Sequence, residues 1–249
     1  MILTLRLLRS PQKEYAIVEK NRSDEPDMVI SLRKNGDMSG KSPEGETNRL
    51  RLFAALNIHA DRVFSLHQVH SKNVLFTKGS LPMNSEGDGM VAAEQKNILA
   101  VTVADCMPIY IFDRKSRHFA IVHSGWKGTG IAAQAVRLLC SRFGCDPAGI
   151  TAVLGPSIRG CCYAVDGERA ENFGGRWGKA SVRWETGTDG RKQAFLDLAA
   201  ANRKVLSESG VRDVREIDEC TVCSPDFGSF RREGPAEFTH MLAMIGFFK

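Results

Sequence analysis

The stretch A-D-C-M-P-I-Y-I-F-D, residues 104–113, is followed after a short polar turn by F-A-I-V-H-S-G-W-K-G, residues 119–128. The β-branched and aromatic residues inside both segments predict two neighbouring buried strands. If these strands pair as a hairpin, the start of the first lies beside the end of the second. Cys106 precedes the first strand and His123 follows the second, so we expect their side chains to meet at one edge of a sheet.

A thiolate and an imidazole brought together in this way can share a metal ion or form a nucleophile–base pair. A second imidazole comes from H-Q-V-H, residues 67–70. His67 and His70 lie three positions apart, so on a strand they point to opposite faces and only one can join the site. We expect His70, at the strand end, to join it and His67 to pack or to face solvent. Taken singly, a free cysteine is more often a small core residue.

Length, composition and charge are those of an ordinary globular protein. The chain has 249 residues, of which 43% are hydrophobic and 25% charged. The net charge of +5 is spread along the chain without a nucleic-acid motif, so we expect no nucleic-acid partner. No segment approaches the roughly 20 apolar residues of a membrane span, so we expect no membrane segment. Seven cysteines without a signal peptide predict free thiols in a reducing cytoplasm.

Hydrophobic periodicity predicts more strands than helices. The predicted strands are 2–8, 15–18, 28–33, 62–69, 73–76, 90–92, 98–103, 109–112, 118–122, 150–154, 163–165 and 241–248, with 176–184 as a polar edge segment. The predicted helices are 49–56, 131–143, 168–173 and 195–209, the first capped by Thr47 or Asn48. Because strands and helices do not alternate strictly, we predict one α+β (mixed α/β) domain over residues 1–249, with central mixed β-sheets flanked by helices.

The turn that follows His123 is rich in glycine. Gly125, Gly128 and Gly130 allow the backbone to approach a ligand closely. The turn leads into the next predicted helix, and the backbone N–H groups at a helix N-terminus favour an anion. The spacing matches neither a Walker loop nor a dinucleotide-binding fingerprint. We expect Trp126, inside this turn, to pack.

Four further cysteines have a simpler interpretation. Cys220 and Cys223 have the spacing of metal ligands, but a structural zinc ion needs two more. Cys161 and Cys162 are adjacent in sequence, which is awkward for joint ligation. We therefore interpret all four as ordinary core or loop thiols.

Several of these motifs occur in the order seen in the YfiH-like family, which the chain resembles. The quoted segments are H-Q-V-H-S-K-N-V (67–74), G-D-G-M-V-A (87–92), V-T-V-A-D-C-M-P-I (101–109), H-S-G-W-K-G (123–128), L-G-P-S-I-R-G-C-C-Y-A-V (154–165) and F-G-S-F-R-R (227–232). That family was long labelled multicopper polyphenol oxidoreductases, or laccase-domain proteins. Its members are now regarded as purine nucleoside phosphorylases with adenosine deaminase activity.

The resemblance implies a fold, a ligand set and substrates. It implies a compact αβα-type domain that acts on purine nucleosides and phosphate. It also implies that His70, Cys106 and His123 form the metal and catalytic triad, usually of zinc. Arg33, in S-L-R-K-N-G-D-M-S (31–39), matches the family's substrate-loop segment and is expected to contact phosphate or ribose.

The two implied reactions need different groups. Two imidazoles and one thiolate leave a fourth zinc position open, which is a catalytic arrangement, and zinc lowers the pKa of water to about 7. In deamination, Asp105 is the nearest carboxylate in sequence and is the candidate for moving protons. In phosphorolysis, the candidates for holding phosphate are Arg33, Arg231 and the glycine-rich turn. A simpler interpretation of Arg231 is a solvated charge.

Three other functions remain open at this point. The first is a metal-independent Cys106–His123 hydrolase that acts on an amide or a peptidoglycan precursor. The second is a copper polyphenol oxidase, since blue copper uses one cysteine and two histidines. A multicopper enzyme, however, needs many more histidines than the six in this chain. The third is a metal-dependent binding module without catalysis.

Overall fold

Two mixed β-sheets packed face to face form the centre of the computed structural model, which describes residues 3–9, 15–40, 43–78, 81 and 84–248. Its strands are β1 Leu3–Thr4, β2 Leu7–Arg9, β3 Tyr15–Val18, β4 Asp27–Ser31, β5 Val63–Phe64, β6 Val74–Thr77, β7 Gly89–Ala92, β8 Ile98–Val103, β9 Met107–Asp113, β10 Phe119–Ser124, β11 Ile150–Leu154, β12 Ala164–Val165, β13 Val182–Thr186, β14 Lys192–Leu196, β15 Asp213–Glu216 and β16 Met241–Gly246. Its α-helices are α1 Pro43–Ala55, α2 Ile131–Phe143, α3 Gly167–Trp177, α4 Leu198–Glu208 and α5 Phe230–Glu233.

The first sheet has seven strands in the order β1-β15-β11-β9-β10-β7-β6. The central strand β9 is buried along its whole length because both faces of this sheet are covered. Its Tyr110 and Phe112 face the second sheet, whereas Ile109 and Ile111 face the layer that contains α2. A strand buried on both faces has a continuous apolar sequence instead of an alternating one, as seen in residues 107–112.

The second sheet has six strands in the order β2-β3-β4-β16-β8-β5. Its inner face packs on the first sheet through residues such as Ile30, Val101 and Ala243. Its outer face packs against Leu52 and Phe53 of α1. The implied αβα arrangement therefore has two sheets in the middle, and the predicted class of central mixed sheets flanked by helices is confirmed.

A layer of helices and a small sheet covers the face of the seven-stranded sheet that points away from the six-stranded sheet. Helices α2, α3 and α4 pack there together with a small sheet in the order β12-β14-β13. No helix in the described ranges has the length and apolar character needed to span a bilayer.

Most predicted elements are present, and the differences have local causes. Strands β3, β8 and β11 and helix α2 have the predicted bounds. Helix α1 begins at Pro43, six positions before the predicted start, because proline is tolerated at the first helical position and Glu44 and Glu46 favour the positive helix end. The predicted cap by Thr47 or Asn48 is therefore wrong, since both residues lie inside α1.

The predicted helix 195–209 has a similar error at its start. Phe195 belongs to β14, and α4 begins at Leu198 after Asp197, whose carboxylate accepts a hydrogen bond from the Ala200 N–H at 2.8 Å. The apolar residues of a strand end and a helix start merge into one helical pattern when no glycine or proline separates them.

Candidate metal centre and active site

The β9–β10 hairpin brings Cys106 and His123 together. The two strands are antiparallel, and His123 lies opposite Pro108 in the ladder. Cys106 comes directly before β9, and His123 is the second-to-last residue of β10. The expected meeting of the two side chains at one sheet edge is confirmed, because their ligand atoms belong to one cluster.

His70 completes this cluster. One ligand atom each from His70, Cys106 and His123 lies within 4.8 Å of the others. The two imidazole rings meet edge to face, with centroids 4.9 Å apart. The backbone of His70 is in the left-handed region, with φ of 57°, which is uncommon for a residue with a side chain. Strain of this kind persists only where neighbouring contacts hold it in place.

Those contacts come from Asp88, a residue to which the sequence pattern alone assigns no role. Its fully buried carboxylate accepts hydrogen bonds from the backbone N–H groups of Val69, His70 and Ser71, and from the Ser71 hydroxyl. It also contacts His123 Nδ1 at 2.9 Å. One carboxylate therefore fixes the loop of the first histidine and the ring of the second.

Charge and burial together set the ionisation of the cluster. Burial raises the pKa of the Cys106 thiol, but the neighbouring His123 and His70 outweigh this and lower the pKa to about 6. Burial lowers the pKa of His123, whereas Cys106 and Asp88 raise that pKa to about 9. Burial also opposes ionisation of Asp88, yet hydrogen bonds from His123 and Ser71 lower its pKa to about 2. Without a metal ion, the geometry thus favours a thiolate beside an imidazolium.

Gly125 makes room for the thiol. A Cβ atom at this position would lie 2.7 Å from Cys106 Sγ and 3.7 Å from His70 Cδ2. The first of these distances is far below van der Waals contact. The position of the Cys106 sulfur therefore explains the glycine in H-S-G-W, because a side chain there would clash with the sulfur.

The donor set fits a zinc ion. Zinc in catalytic sites takes three protein ligands from nitrogen, sulfur and oxygen donors and keeps a fourth position open. The Asp88 contact occupies Nδ1 of His123 and leaves Nε2 for an ion, which is the usual carboxylate–histidine–metal arrangement. Among the described residues, no histidine-rich cluster accompanies this one, so the set of ligands that a multicopper centre needs is not found there.

A cavity of about 730 Å³ lies over the cluster. This volume is within the range of small-molecule sites, about 300–1,000 Å³. His70, Cys106 and His123 all line the cavity. Its aromatic wall consists of Trp126, Tyr163, Phe230 and Phe238, and its arginines are Arg49, Arg169 and Arg231.

The structure separates the two arginines that were predicted to bind substrate. Arg231 lines the cavity, and its guanidinium lies 5.5 Å from the Tyr163 ring centroid. Arg33 is not among the described residues that line the cavity, and its Nε atom pairs with Glu233 at 3.1 Å. The contact of Arg33 with substrate stays a prediction.

Asp105 lies at the cavity wall with both carboxylate oxygens engaged. One accepts a hydrogen bond from the Thr221 hydroxyl at 2.6 Å, and the other accepts one from the Arg231 backbone N–H at 2.7 Å. Asp105 also has a left-handed φ of 79°. These bonds favour a positioning role, and proton transfer by Asp105 stays a prediction.

Several cavity residues were missed by sequence reasoning. Arg169 on α3 stacks on Trp126, with its guanidinium 4.7 Å from the ring, and Arg49 reaches the cavity from α1. Both had the appearance of ordinary helix-surface cations. His67 also lines the cavity, so it belongs to this region although it is not part of the metal cluster. Its neighbour Gln68 anchors the segment by pairing with the backbone of Thr102.

Together, the fold and the cluster define a mixed α/β protein with a candidate His₂Cys metal centre in a substrate-sized cavity. Residues 34–247 match the family described as multi-copper polyphenol oxidoreductase laccase. The chain belongs to this family, and the resemblance to YfiH-like proteins is confirmed.

Named relatives and solved structures agree with this assignment. The chain is 36% identical over 200 residues to a purine nucleoside phosphorylase of Deinococcus radiodurans, covering 80% of this chain and 76% of that protein. It is 32% identical over 200 residues to the purine nucleoside phosphorylase YfiH of Escherichia coli K12, covering 80% of each. The crystal structure of YlmD from Geobacillus stearothermophilus aligns with a TM-score of 0.83 and 26% identity, over 96% of this chain and 97% of that one.

Proposed function

We propose that this protein is a zinc-dependent purine nucleoside phosphorylase that also deaminates adenosine. The observation that carries the proposal is the position of the His70–Cys106–His123 cluster in a cavity lined by aromatic rings and arginines. Relatives that share at least 32% identity over 200 residues are named purine nucleoside phosphorylases. The substrates are adenosine, inosine, guanosine and methylthioadenosine-type nucleosides, together with phosphate.

The cavity wall suits a flat purine base. Trp126 and Phe230 expose 36% and 46% of their surface, unusually much for large apolar side chains. Both line the cavity beside Tyr163. Aromatic faces of this kind gain stabilisation by stacking on a base, about 1–3 kcal/mol per base in nucleic-acid complexes. We assign these rings to the purine.

The arginines suit phosphate. In phosphorolysis, a phosphate oxygen forms a bond to ribose C1′ while the bond from C1′ to the purine nitrogen breaks, and the purine leaves with the electron pair. Arg231 and Arg169 line the same cavity as the metal cluster and can hold the anion in place. Asp105 holds the Arg231 backbone and so fixes the start of α5 at the cavity wall.

The metal cluster is needed for both reactions, and its chemistry is most direct for the second. Zinc, when bound by His70, Cys106 and His123, supplies Lewis-acid chemistry and lowers the pKa of water to about 7. In deamination, water adds to C6 of adenine and ammonia leaves, which gives inosine. Asp88 holds the His123 ring and the His70 loop in fixed positions through its contacts with both.

The first test identifies products. Purified protein is incubated with adenosine in the presence and in the absence of phosphate, and adenine, ribose 1-phosphate, inosine and ammonia are quantified. We expect adenine and ribose 1-phosphate only with phosphate, and ammonia under both conditions. Inosine should accumulate without phosphate and should be partly cleaved to hypoxanthine when phosphate is present. Phosphate-independent release of adenine would rule out phosphorolysis, and no turnover of any nucleoside would overturn the whole proposal.

A second candidate function rests on one specific arrangement. Cys106, His123 and Asp88 have the order of a nucleophile, a base and an orienting carboxylate. A metal-independent hydrolase of amides or peptidoglycan precursors would use them in that way. Its activity would survive chelation and disappear on thiol alkylation, whereas the zinc-dependent activity would be lost on chelation and restored by zinc.

The free thiols support a cytoplasmic location for the protein. All seven cysteines are free in the structure. Unpaired cysteines persist in reducing compartments, so we place the protein in the cytoplasm.

A further inference from the structure

Four cysteines outside the cavity come together at the surface. Sγ atoms of Cys161, Cys162, Cys220 and Cys223 all lie within 4.8 Å of one another. The two pairs are separated by about 60 residues of sequence, as shown by the separation of 61 positions between Cys162 and Cys223. The two further ligands that the Cys220/Cys223 spacing needed are therefore supplied by the adjacent pair.

The sulfur spacing is that of a tetrahedral metal site. Four thiolates about 2.3 Å from a zinc ion lie about 3.8 Å from one another in a regular tetrahedron. The measured distances are 3.8 Å between the sulfurs of Cys161 and Cys223 and 3.4 Å between those of Cys162 and Cys223. All six sulfur–sulfur distances are within 4.8 Å, so every sulfur can reach one common point.

The two cysteine segments are also fastened to each other by the backbone. Ser157 and Cys220 form an isolated parallel bridge between the two segments. The Arg232 guanidinium donates to the carbonyl groups of Thr221, Val222 and Ser224 at 2.7, 3.0 and 2.8 Å. The Arg232 guanidinium holds this turn in place. Its positive charge compensates part of the negative charge that four thiolates around Zn²⁺ would carry.

We propose that Cys161, Cys162, Cys220 and Cys223 bind a second, structural zinc ion that fastens the Arg231 segment to the cavity wall. The link to the cavity is direct. Arg231 Nη1 donates to the carbonyl groups of Ala164 and Cys162, at 3.0 and 3.4 Å. Asp105 binds both Thr221, next to Cys220, and the Arg231 backbone. Zinc binding by these cysteines does not depend on the reaction catalysed, whereas its effect on phosphate rests on the proposed function.

The test counts zinc ions in variants of the full chain. Wild-type protein dialysed against metal-free buffer should retain about two zinc ions per chain, one for each cluster. The double variant Cys161→Ser/Cys220→Ser and the variant Cys106→Ala should each retain one. Cys140→Ser, which changes a half-buried thiol of α2 outside both clusters, should retain both.

The double variant should also raise the KM for phosphate more than it lowers kcat, because it loosens the segment that carries Arg231. Equal zinc content in the wild type and the double variant would overturn the proposal. So would a disulfide within this group, found by mass spectrometry of alkylated, unreduced protein, because a disulfide consumes the thiolates.

A cobalt titration of the wild-type protein tests the same proposal without a substitution, so it is informative even if the double variant does not fold. Metal-free wild-type protein is titrated with Co²⁺, and the visible absorption is followed. Four thiolates give much stronger sulfur-to-cobalt charge transfer than the single thiolate of the His₂Cys cluster. Two binding steps, one with the tetrathiolate spectrum, are expected, and a spectrum of a single-thiolate site alone would contradict the second zinc site.

Discussion

Asp88 connects the two histidines of the candidate metal centre through one buried carboxylate. It holds the His70 backbone at 3.0 Å and the His123 ring at 2.9 Å. Partners of this kind orient metal-binding imidazoles and raise their basicity. Its role could not be predicted from the sequence, because G-D-G gives only a turn and the carboxylate reaches residues 17 to 35 positions away.

We predict that Asp88→Asn weakens zinc binding at the His₂Cys cluster by about 10- to 100-fold. Asparagine keeps the shape but places an amide where several N–H donors converge. The affinity is measured by competition with a chelator in the Cys161→Ser/Cys220→Ser background. The control is Asp113→Asn, which affects a buried carboxylate that accepts from Lys115 and Ser116 in the hairpin turn. Equal affinities in the two variants would refute the role of Asp88.

Gly125 provides a steric test of the position of the thiol. Gly125→Ala places a Cβ atom 2.7 Å from Cys106 Sγ, so the sulfur must shift from its position in the cluster. We expect kcat/KM for adenosine to fall at least about 100-fold, since misplacement of a reacting group by about 1 Å has that effect. Zinc at the His₂Cys cluster should be lost as well.

The matched control for this substitution is Gly175→Ala on α3. Nothing lies within 4 Å of a Cβ atom at that exposed position. Alanine inside a helix is favoured over glycine by about 0.5–1 kcal/mol, so this variant should unfold at slightly higher denaturant concentration. If both variants kept full activity, the placement of the Cys106 sulfur would be incorrect.

The β9–β10 hairpin is an element whose strands and pairing could be predicted from the sequence. Its two apolar runs and the polar turn between them determine pairing and register, so the meeting of Cys106 and His123 followed from local pattern alone. The strands β14 and β15 were not predicted. Strand β14 begins with the polar residues Lys192 and Gln193 followed by three apolar residues, and β15 is only four residues long, so neither shows a clear period-2 pattern. The partners of β15, which are β1 and β11, lie far away in sequence.

Substitutions at two helix N-caps distinguish an effect on stability from an effect on phosphate binding. Asp166 caps α3 by accepting from the Arg169 N–H at 2.8 Å, and Asp197 caps α4 by accepting from the Ala200 N–H at 2.8 Å. Asp197→Ala should lower the free energy of unfolding by about 1 kcal/mol. Asp166→Ala should also destabilise the protein, and only this variant should raise the KM for phosphate, because Arg169 lies in the first turn of α3.

These outcomes are checked by urea unfolding and by steady-state kinetics on both variants. A higher KM for phosphate in both would attribute the effect to general loosening of the fold. An unchanged KM in both would remove Arg169 from the anion-binding role.

At the scale of the whole molecule, a buried ion pair joins two parts of the chain that are far apart in sequence. Arg215 of β15 contacts both carboxylate oxygens of Glu25 at 2.9 and 3.0 Å, and both residues are almost fully buried. Glu25 lies two residues before the start of β4 in the six-stranded sheet, whereas β15 belongs to the seven-stranded sheet. Sequence patterns do not predict such a pair, because its members are 190 positions apart.

We predict that Arg215→Leu lowers the free energy of unfolding by about 3–5 kcal/mol, because it leaves a buried carboxylate without its partner. The double variant Glu25→Leu/Arg215→Leu should recover a large part of this loss, since the fully buried carboxylate is removed as well and Asp213, the other partner of Arg215, is partly exposed. Lys96→Leu, at an exposed pair with Glu94, is the control and should change little. Urea unfolding measures all three, and a single cooperative transition would support one domain over residues 1–249. A double variant less stable than Arg215→Leu would contradict this account of the pair.

The proposed function depends most directly on zinc binding by the His70–Cys106–His123 cluster. The most direct measurement compares Cys106→Ala with Cys140→Ala for zinc content and for adenosine turnover with phosphate. We predict that Cys106→Ala loses one zinc ion per chain together with formation of both adenine and inosine, whereas Cys140→Ala keeps all three properties. Retention of zinc and of both products in Cys106→Ala would contradict zinc-dependent catalysis at this cluster.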